Sequence, residues 1–177
     1  AVMGKNEDGF AGPRPKLVKG GVSAAWPASD WKEVEPFPFS GARRAFTGSN
    51  DPERFLPVRY LRGPEDGPLV ALVRFTERVE GAPGQAHGGA VLTIFDEALG
   101  AAAWIAGYPV FTVRLTAEFR KSVPIPSELL VTTEIYRARR RLVWVRGELL
   151  SQDCVCYARC DAEFFLLDEA RTRLLQS

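Results

Sequence analysis

The sequence predicts an α+β domain in which an antiparallel sheet wraps around one long central helix. Residues 88–106 form an apolar run that is long enough for a helix of about five turns. After it, apolar and polar residues alternate with a period of two in several segments, which is typical of strands with one buried face. Strands of this kind pair antiparallel and bury their apolar face on the helix, which gives the α+β class.

Length and composition predict one domain preceded by an extension. The 177 residues are 46% hydrophobic and carry a formal net charge of +1, enough for one sizeable core and without the basic bias of a nucleic-acid-binding protein. Residues 1–56 are rich in proline and glycine, which excludes long regular elements, but their aromatic residues indicate that they pack on the domain of residues 57–177. Short helices are expected over residues 29–34 and 50–55.

From residue 57 onward the predicted order is two strands, the long helix and four more strands. Residues 58–62 are expected to pair with a strand over residues 69–80 through the turn between them. The first three strands after the helix are predicted from apolar positions that share one face: Phe111, Val113, Leu115, Ala117 and Phe119; Leu129, Val131, Thr133 and Ile135; Val143, Val145, Gly147 and Leu149. The basic residues 137–141 are expected to join the second of these strands to the third.

The three cysteines fall in the last predicted strand. Cys156 and Cys160 share its apolar face, and Cys154 precedes them in the same register, so all three are expected to be reduced core residues. A disulfide within one extended strand is geometrically poor, and a single histidine does not readily complete a metal site. This cysteine usage predicts a cytoplasmic protein without a bound metal.

Two adjacent carboxylates interrupt the apolar helix. Asp96 and Glu97 lie among aliphatic residues, and burying an unpaired carboxylate is costly. Between Arg78 and Arg114 the only other charged residue is Glu80, so the helix has almost no polar face to put in water. A solvated side of the helix is the alternative explanation. The same two charges argue against a membrane span, because both would sit near the centre of the bilayer.

The front of the helix is built for a ligand. Gly84, Gly88 and Gly89 flank His87, and glycines let a ligand approach the backbone where a helix start presents free N–H groups. Asp96 lies nine residues after His87, ~13 Å along the axis at ~1.5 Å per residue. One helix cannot bring both ends to one small reacting group. We therefore expect a dimer in which the helix start of one subunit meets Asp96 of the other.

The run HGGAVLTIFDEALG, residues 87–100, resembles the signature of the hotdog-fold acyl-CoA thioesterases of the phenylacetate-pathway type and related thioesterase-superfamily proteins. The resemblance covers residues 57–167 and includes Thr112, sixteen residues after Asp96, and the strand end FRKSVPIP. It implies a hotdog fold and the hydrolysis of acyl-CoA to free acid and coenzyme A, within lipid metabolism. It also implies a homodimer or a dimer of dimers.

The resemblance assigns roles to individual residues. Gly88 would polarise the thioester carbonyl, and Asp96 would act as general base or as nucleophile, with the choice between these left open. Thr112 would position water or Asp96, and His87 would brace the turn. Many relatives carry an asparagine several residues before the histidine, which residues 79–86 lack. The substrate-binding candidates on this loop are Gln85, as a possible substitute for that asparagine, and Gly89.

Coenzyme A enters as part of the substrate, and no separate cofactor is expected. Arg120 and Lys121 match the basic strand end of the family and are expected to hold its phosphates, with the arginines of residues 137–141 as the alternative. No Gly-x-Ser-x-Gly motif is present, which disfavours a serine triad. Two other functions stay open: a non-catalytic acyl-CoA binder or regulator, and a hotdog dehydratase or isomerase acting on acyl thioesters.

Overall fold

The computed structural model describes residues 26–38, 47–48 and 55–176, with the backbone alone at 47–48 and at 176. The helix expected over residues 50–55 falls almost wholly outside these ranges. The helix expected over residues 29–34 is wrong: a turn leads into a short strand, β1 (Lys32–Glu33), which pairs with a neighbouring strand at Arg62 and Leu61. An open sheet edge offers backbone hydrogen bonds that outweigh the weak helical propensity of a proline-flanked segment.

The described residues form nine strands, two α-helices and one short 3₁₀ helix. After β1 come β2 (Thr47–Gly48), β3 (Leu56–Arg62) and β4 (Leu69–Phe75), then the 3₁₀ turn Glu77–Val79 and the long helix α1 (Gly88–Ile105). The chain continues with β5 (Val110–Phe119), β6 (Ser127–Thr132), β7 (Glu134–Arg139), β8 (Leu142–Leu150), β9 (Cys156–Leu166) and the short helix α2 (Glu169–Gln176).

One sheet contains the strands in the order β1-β3-β4-β6-β8-β9-β5, with β7 also paired to β8 and β2 to β3. All pairs are antiparallel except β2 with β3. The sheet packs on α1, which contacts β4 to β9. The predicted α+β architecture is confirmed. Strand β5 is the last in this order and is hydrogen-bonded to β9 on one side.

Helix α1 forms the centre of the core. Ile94, Phe95 and Leu99 are fully buried against the sheet, because apolar residues three and four apart lie on the same helix face. Gly147 on β8 permits this packing: a Cβ there would overlap the Thr132 carbonyl and the Leu99 side chain. The length of α1 and its mean hydropathy of 1.3 would also suit a membrane span. Here, however, that apolar surface covers the sheet of its own domain.

Two predicted strands differ from the structure. The strand expected over residues 69–80 ends at Phe75, because Thr76 caps the 3₁₀ turn that follows. The second strand after the helix is divided at Thr133, so five strands follow α1 instead of four. The Thr133 hydroxyl donates to the Leu69 carbonyl at 2.6 Å, and β8 pairs with β6 at one end and with β7 at the other. The alternating apolar face of β8 is confirmed, with Val143, Val145 and Leu149 buried.

The structure corrects the prediction that all three cysteines are core residues. Cys160 is buried on the helix-facing side of β9, as expected, and Cys156 at the start of the strand is partly buried. Cys154 is exposed and precedes the strand, with a positive φ of 60° in the preceding turn. The turn interrupts the alternation that placed all three cysteines on one face. None of the three takes part in a disulfide.

The faces of strand β5 differ from the prediction, and this difference bears directly on function. Its apolar residues do not share one face, because a β-bulge between Thr112 and Arg114 shifts the register against β9. Before the bulge, Thr112 pairs with the buried Phe164, so this polar residue lies on the helix side. After it, Leu115, Ala117 and Phe119 lie on that side: their partners on β9, Ala162, Cys160 and Ala158, are buried. Phe111 lies on the opposite face.

Candidate active site

The start of α1 leaves one backbone amide without an acceptor. His87 is the N-cap, and its Nδ1 accepts a hydrogen bond from the Gly89 amide at 2.9 Å. The His87 carbonyl accepts from the amides of Ala90 and Val91. Of the first four helical amides, which have no intrahelical partner, this leaves Gly88, whose N–H has no acceptor among the described residues. Such an amide at a helix N-terminus suits a developing oxyanion.

His87 is held firmly in its capping position. Its amide donates to the Val79 carbonyl at 2.7 Å, and a Cβ on Gly89 would lie only 2.9 Å from His87 Nδ1. Because Nδ1 accepts a hydrogen bond, the proton of the neutral ring is on Nε2. His87 thus braces the turn. The amide of Gly89, a residue expected to contact substrate, is engaged by the cap.

The loop before His87 is fixed by its own hydrogen bonds. Glu80 Oε1 accepts from the Gly84 amide at 2.7 Å, and Gly84 has a φ of +71°, which glycine adopts without strain. The Ala86 amide donates to the Val123 carbonyl at 2.9 Å. The side-chain Oε1 of Gln85 is buried and has no hydrogen-bond partner among the residues that the structure describes. A buried acceptor without a partner is costly, which makes Gln85 a candidate for pairing with a bound group.

A cleft of about 330 Å³ opens beside Gly88. It brings together the start of α1, the end of β5 and the segment after it; the residues that line it are Ala86, Gly88, Val91, Phe119, Arg120, Lys121, Ser122, Val123 and Ala158. Its walls are therefore apolar near the helix and basic at one side. The two residues expected to hold coenzyme A lie in the same cleft as the free amide of Gly88.

Arg120 and Lys121 are exposed at the rim of this cleft. Both backbone amides donate to the Tyr157 carbonyl, at 2.8 and 3.0 Å, which fixes the chain where the side chains leave it. The Arg120 guanidinium pairs with Glu118 at 3.2 Å. An exposed pair of this kind is weak, so the guanidinium is available for a stronger anion.

Phe119 is a lining residue that the sequence reasoning did not assign to the site. Its ring lies 3.6 Å from the position of a Cβ on Gly88, and half of the residue is exposed, at 52%. The alternation along β5 grouped it with Phe111, whereas the bulge puts the two on opposite faces. A single sequence carries no clear signal for a bulge at this point.

Asp96 and Thr112 form a second group. Thr112 Oγ1 donates to Asp96 Oδ1 at 2.6 Å, a short hydrogen bond to an ionisable acceptor. Asp96 is half-buried on α1, two turns beyond the helix start, and neither residue lines the Gly88 cleft. Within one chain, therefore, the carboxylate and the free amide lie apart, as the length of the helix requires.

A thiol lies in the same part of the core. Burial raises the pKa of Cys160 to about 11, with a further rise from the Asp161 carboxylate. Near neutral pH this thiol is protonated, and a protonated thiol is a poor nucleophile. Among the described residues no group of three or more His, Cys, Asp and Glu side chains is arranged to hold a metal ion.

The arginine-rich hairpin, the alternative site for phosphates, lies elsewhere. Arg137 and Arg139 pair across the hairpin with Trp144 and Leu142, and β9 follows with Phe165 opposite Leu142. Phe165 in turn is opposite Phe111, at the start of β5. The Gly88 cleft lies at the other end of β5, so the arginine-rich hairpin does not line it.

Comparisons with known proteins find a matching family and several relatives. Residues 83–158 match the family model of the Thioesterase superfamily. The mouse protein "Acyl-coenzyme A thioesterase THEM5" is 27% identical over 96 residues, which cover 54% of this chain and 36% of that protein. The rat "Acyl-coenzyme A thioesterase THEM4" is 30% identical over 101 residues, 56% of this chain and 44% of that protein. The chain thus matches less than half the length of these relatives.

A solved structure shares the fold. The crystal structure of "protein RHA08564, thioesterase superfamily protein" superposes with a TM-score of 0.63 at 22% identity, covering 80% of this chain and 69% of that one. The residues that match the family model include the helix start, Asp96, Thr112 and the basic strand end. Residues 83–158 of this chain are therefore similar to the thioesterase superfamily, and the domain around them has the hotdog fold.

Proposed function

We propose that this protein hydrolyses acyl-CoA thioesters to free acid and coenzyme A. The observation that carries the proposal is the free amide of Gly88 in a cleft that also contains Arg120 and Lys121. A thioester needs its carbonyl polarised at one point, and the nucleotide end of coenzyme A needs cations within reach. The two mammalian relatives are named acyl-coenzyme A thioesterases, which supports the same reaction.

The chemistry follows from the groups available. The thioester oxygen accepts from the Gly88 N–H, and Asp96 takes a proton from a water that attacks the carbonyl carbon. The tetrahedral oxyanion then collapses, the C–S bond breaks, and the leaving thiolate takes up the proton. In the second route Asp96 attacks the carbon itself and water hydrolyses the mixed anhydride. Either route consumes one water, and neither needs a cofactor beyond the coenzyme A of the substrate.

A dimer would bring the Asp96 carboxylate of one subunit close to the Gly88 amide of the other. Strand β5 is paired on one side only among the described strands, and Phe111, Val113 and Phe119 along it are half-exposed. A long apolar edge strand of this kind favours pairing with another chain. Antiparallel pairing with the β5 of a second copy sets the first residues of one strand opposite the last residues of the other.

This pairing unites the two groups of the site. Thr112 is near the start of β5 and bonds Asp96, while Phe119 at its end packs beside Gly88. The Asp96–Thr112 pair of one subunit therefore approaches the Gly88 cleft of its partner. Thr112, by donating to Asp96 Oδ1, fixes the carboxylate and leaves Oδ2 for water or substrate. Gln85, with its buried Oε1 unpaired, is placed in the loop that bears the cleft and contributes a further polar contact.

The test is release of free thiol from a panel of acyl-CoA thioesters that differ in chain length and aromatic character. We expect turnover of at least one member, abolished in Asp96→Asn but retained in Glu97→Gln, a neighbouring carboxylate on the same helix. Binding of acyl-CoA without thiol release by the wild-type protein would assign it to the non-catalytic binders. Hydration or double-bond migration in the acyl group would assign it to the dehydratases or isomerases.

A further inference from the structure

One end of the sheet combines arginines with apolar side chains. It consists of the tip of the β7–β8 hairpin (residues 136–144) and of residues 165–176, which include the end of β9 and helix α2, and we call it the basic end. Register brings its residues side by side: Arg139 is opposite Leu142, Leu142 opposite Phe165, and Phe165 opposite Phe111. Their neighbours in sequence, such as Val143, are buried towards α1, so this row lies on the other face of the sheet.

The basic end has a surplus of positive charge. Residues 136–142 and 167–176 contain six arginines and two carboxylates, a surplus of four, whereas the whole chain has a net charge of +1. Asp168 lies 3.8 Å from Arg141, and Glu169 pairs with Arg173. Arg139 and Arg140 are exposed at the hairpin tip and have no ion-pair partner among the described residues. Like charges held close together repel each other, and binding of an anion relieves this repulsion.

Apolar and aromatic groups lie between these charges. The Arg137 guanidinium is 4.7 Å from the Trp144 ring centre, and that of Arg141 is 4.4 Å from the Phe165 ring centre. Beside Phe165, Phe111 is 52% exposed. Such a surface suits the headgroup region of a bilayer, where guanidinium groups meet phosphates and aromatic rings reach the apolar boundary.

Two other occupants fit less well. A second copy using the same surface across a two-fold axis would oppose two clusters of like charge. Single-stranded nucleic acid would need open ring faces for base stacking, but arginines cover one face each of Trp144 and Phe165. We propose that the basic end binds the surface of an anionic phospholipid bilayer. This inference does not rest on the proposed hydrolysis of thioesters.

The test is co-sedimentation of the full chain with vesicles of phosphatidylcholine, with or without roughly 30% phosphatidylglycerol to give an anionic surface. We expect binding to the anionic vesicles only, weakened by added salt because the attraction is electrostatic. The variant Arg139→Gln/Arg140→Gln should lower the partition coefficient about 30-fold, since each basic residue near an anionic surface contributes about fivefold. The variant Arg139→Lys/Arg140→Lys keeps both charges and should retain most of the binding.

The matched control is Lys32→Gln/Arg74→Gln, which removes two exposed positive charges from other parts of the sheet and should change binding by less than about threefold. Thermal unfolding of each variant checks that the fold is intact. Absence of binding to the anionic vesicles, equal binding to neutral ones, or equal losses in the control and hairpin variants would overturn the proposal. Self-association, or binding to an oligonucleotide, that is lost in the hairpin variant while vesicle binding is unchanged would assign the surface to that partner instead.

Discussion

Replacing Gly88 by proline removes the proposed oxyanion donor while preserving the helix. Gly88 is the first residue of α1, where proline is well tolerated because the N–H has no intrahelical partner and the fixed φ is already helical. The residue before a proline must be extended, and His87 already is, with φ −64° and ψ 137°. The capping bond from the Gly89 amide to His87 is therefore retained.

We expect Gly88→Pro to lower kcat strongly. Removing one donor from an oxyanion site typically costs roughly 10²- to 10³-fold in kcat, about 3–4 kcal/mol. In Gly88→Pro the ring also occupies the position of the amide hydrogen, which adds to the loss. The matched variant Gly88→Ala keeps the N–H, and its Cβ would lie 3.6 Å from the Phe119 ring, an ordinary van der Waals contact. Alanine should therefore retain turnover within about tenfold and stabilise the helix by roughly 0.5–1 kcal/mol.

The assay is thiol release under saturating acyl-CoA, with thermal unfolding measured on the same preparations. A folded Gly88→Pro protein with turnover close to wild type would refute the assignment of Gly88 as the donor. Equal losses in the alanine and proline variants would mean that space at the helix start, and not the N–H, controls the reaction.

The remaining predictions test the carboxylate, the dimer and the coenzyme A site. Asp96→Asn should lose ~10²-fold or more in kcat and stay folded, whereas Glu97→Gln should lose little; near-wild-type turnover of Asp96→Asn would remove its catalytic role. Mixing Asp96→Asn chains with Gly88→Pro chains should restore activity in mixed dimers, and no recovery after verified subunit exchange would argue for a site within one chain. Arg120→Gln/Lys121→Gln should raise KM for acyl-CoA but barely change hydrolysis of a pantetheine thioester; equal losses on both substrates would contradict phosphate binding.

The helix and its start could be predicted from the sequence because local rules decide them. An apolar run with glycines at its front leaves few alternatives, and α1 begins at Gly88 as expected. The β3–β4 pairing and the buried face of β8 follow equally local signals. The distance of about 13 Å from His87 to Asp96 is a consequence of helix geometry alone, and from it we predict a site shared by two subunits without any tertiary structure.

The face of Thr112 could not be predicted because it depends on pairing between distant strands. Strict alternation put this residue on the polar side of β5, away from the helix. The bulge that reverses the alternation arises where β5 meets β9, and one extra residue on β5 is enough to exchange the two faces. The same shift separates Phe111 from Phe119, which packs beside Gly88, although the pattern of β5 alone assigned the two rings to one face. The division at Thr133 is likewise set by a tertiary contact, its bond to Leu69.

The bulge also explains why one edge strand serves both halves of the proposed site. With unbroken alternation, Thr112 and Phe119 would lie on opposite faces of β5, because they are seven residues apart. The extra residue puts both on the helix side, Thr112 against Asp96 and Phe119 against Gly88. In the proposed dimer, in which β5 pairs with its copy, the carboxylate of one subunit and the free amide of the other would then face the same space. Deleting Val113 should remove the bulge yet leave Thr112 opposite Phe164, because six residues would then separate it from Phe119 and an even spacing keeps both on one face. We therefore expect a folded Val113 deletion to retain the hydrogen bond from Thr112 to Asp96 and most of its hydrolysis, and loss of hydrolysis in a folded dimer of this variant would contradict the reasoning.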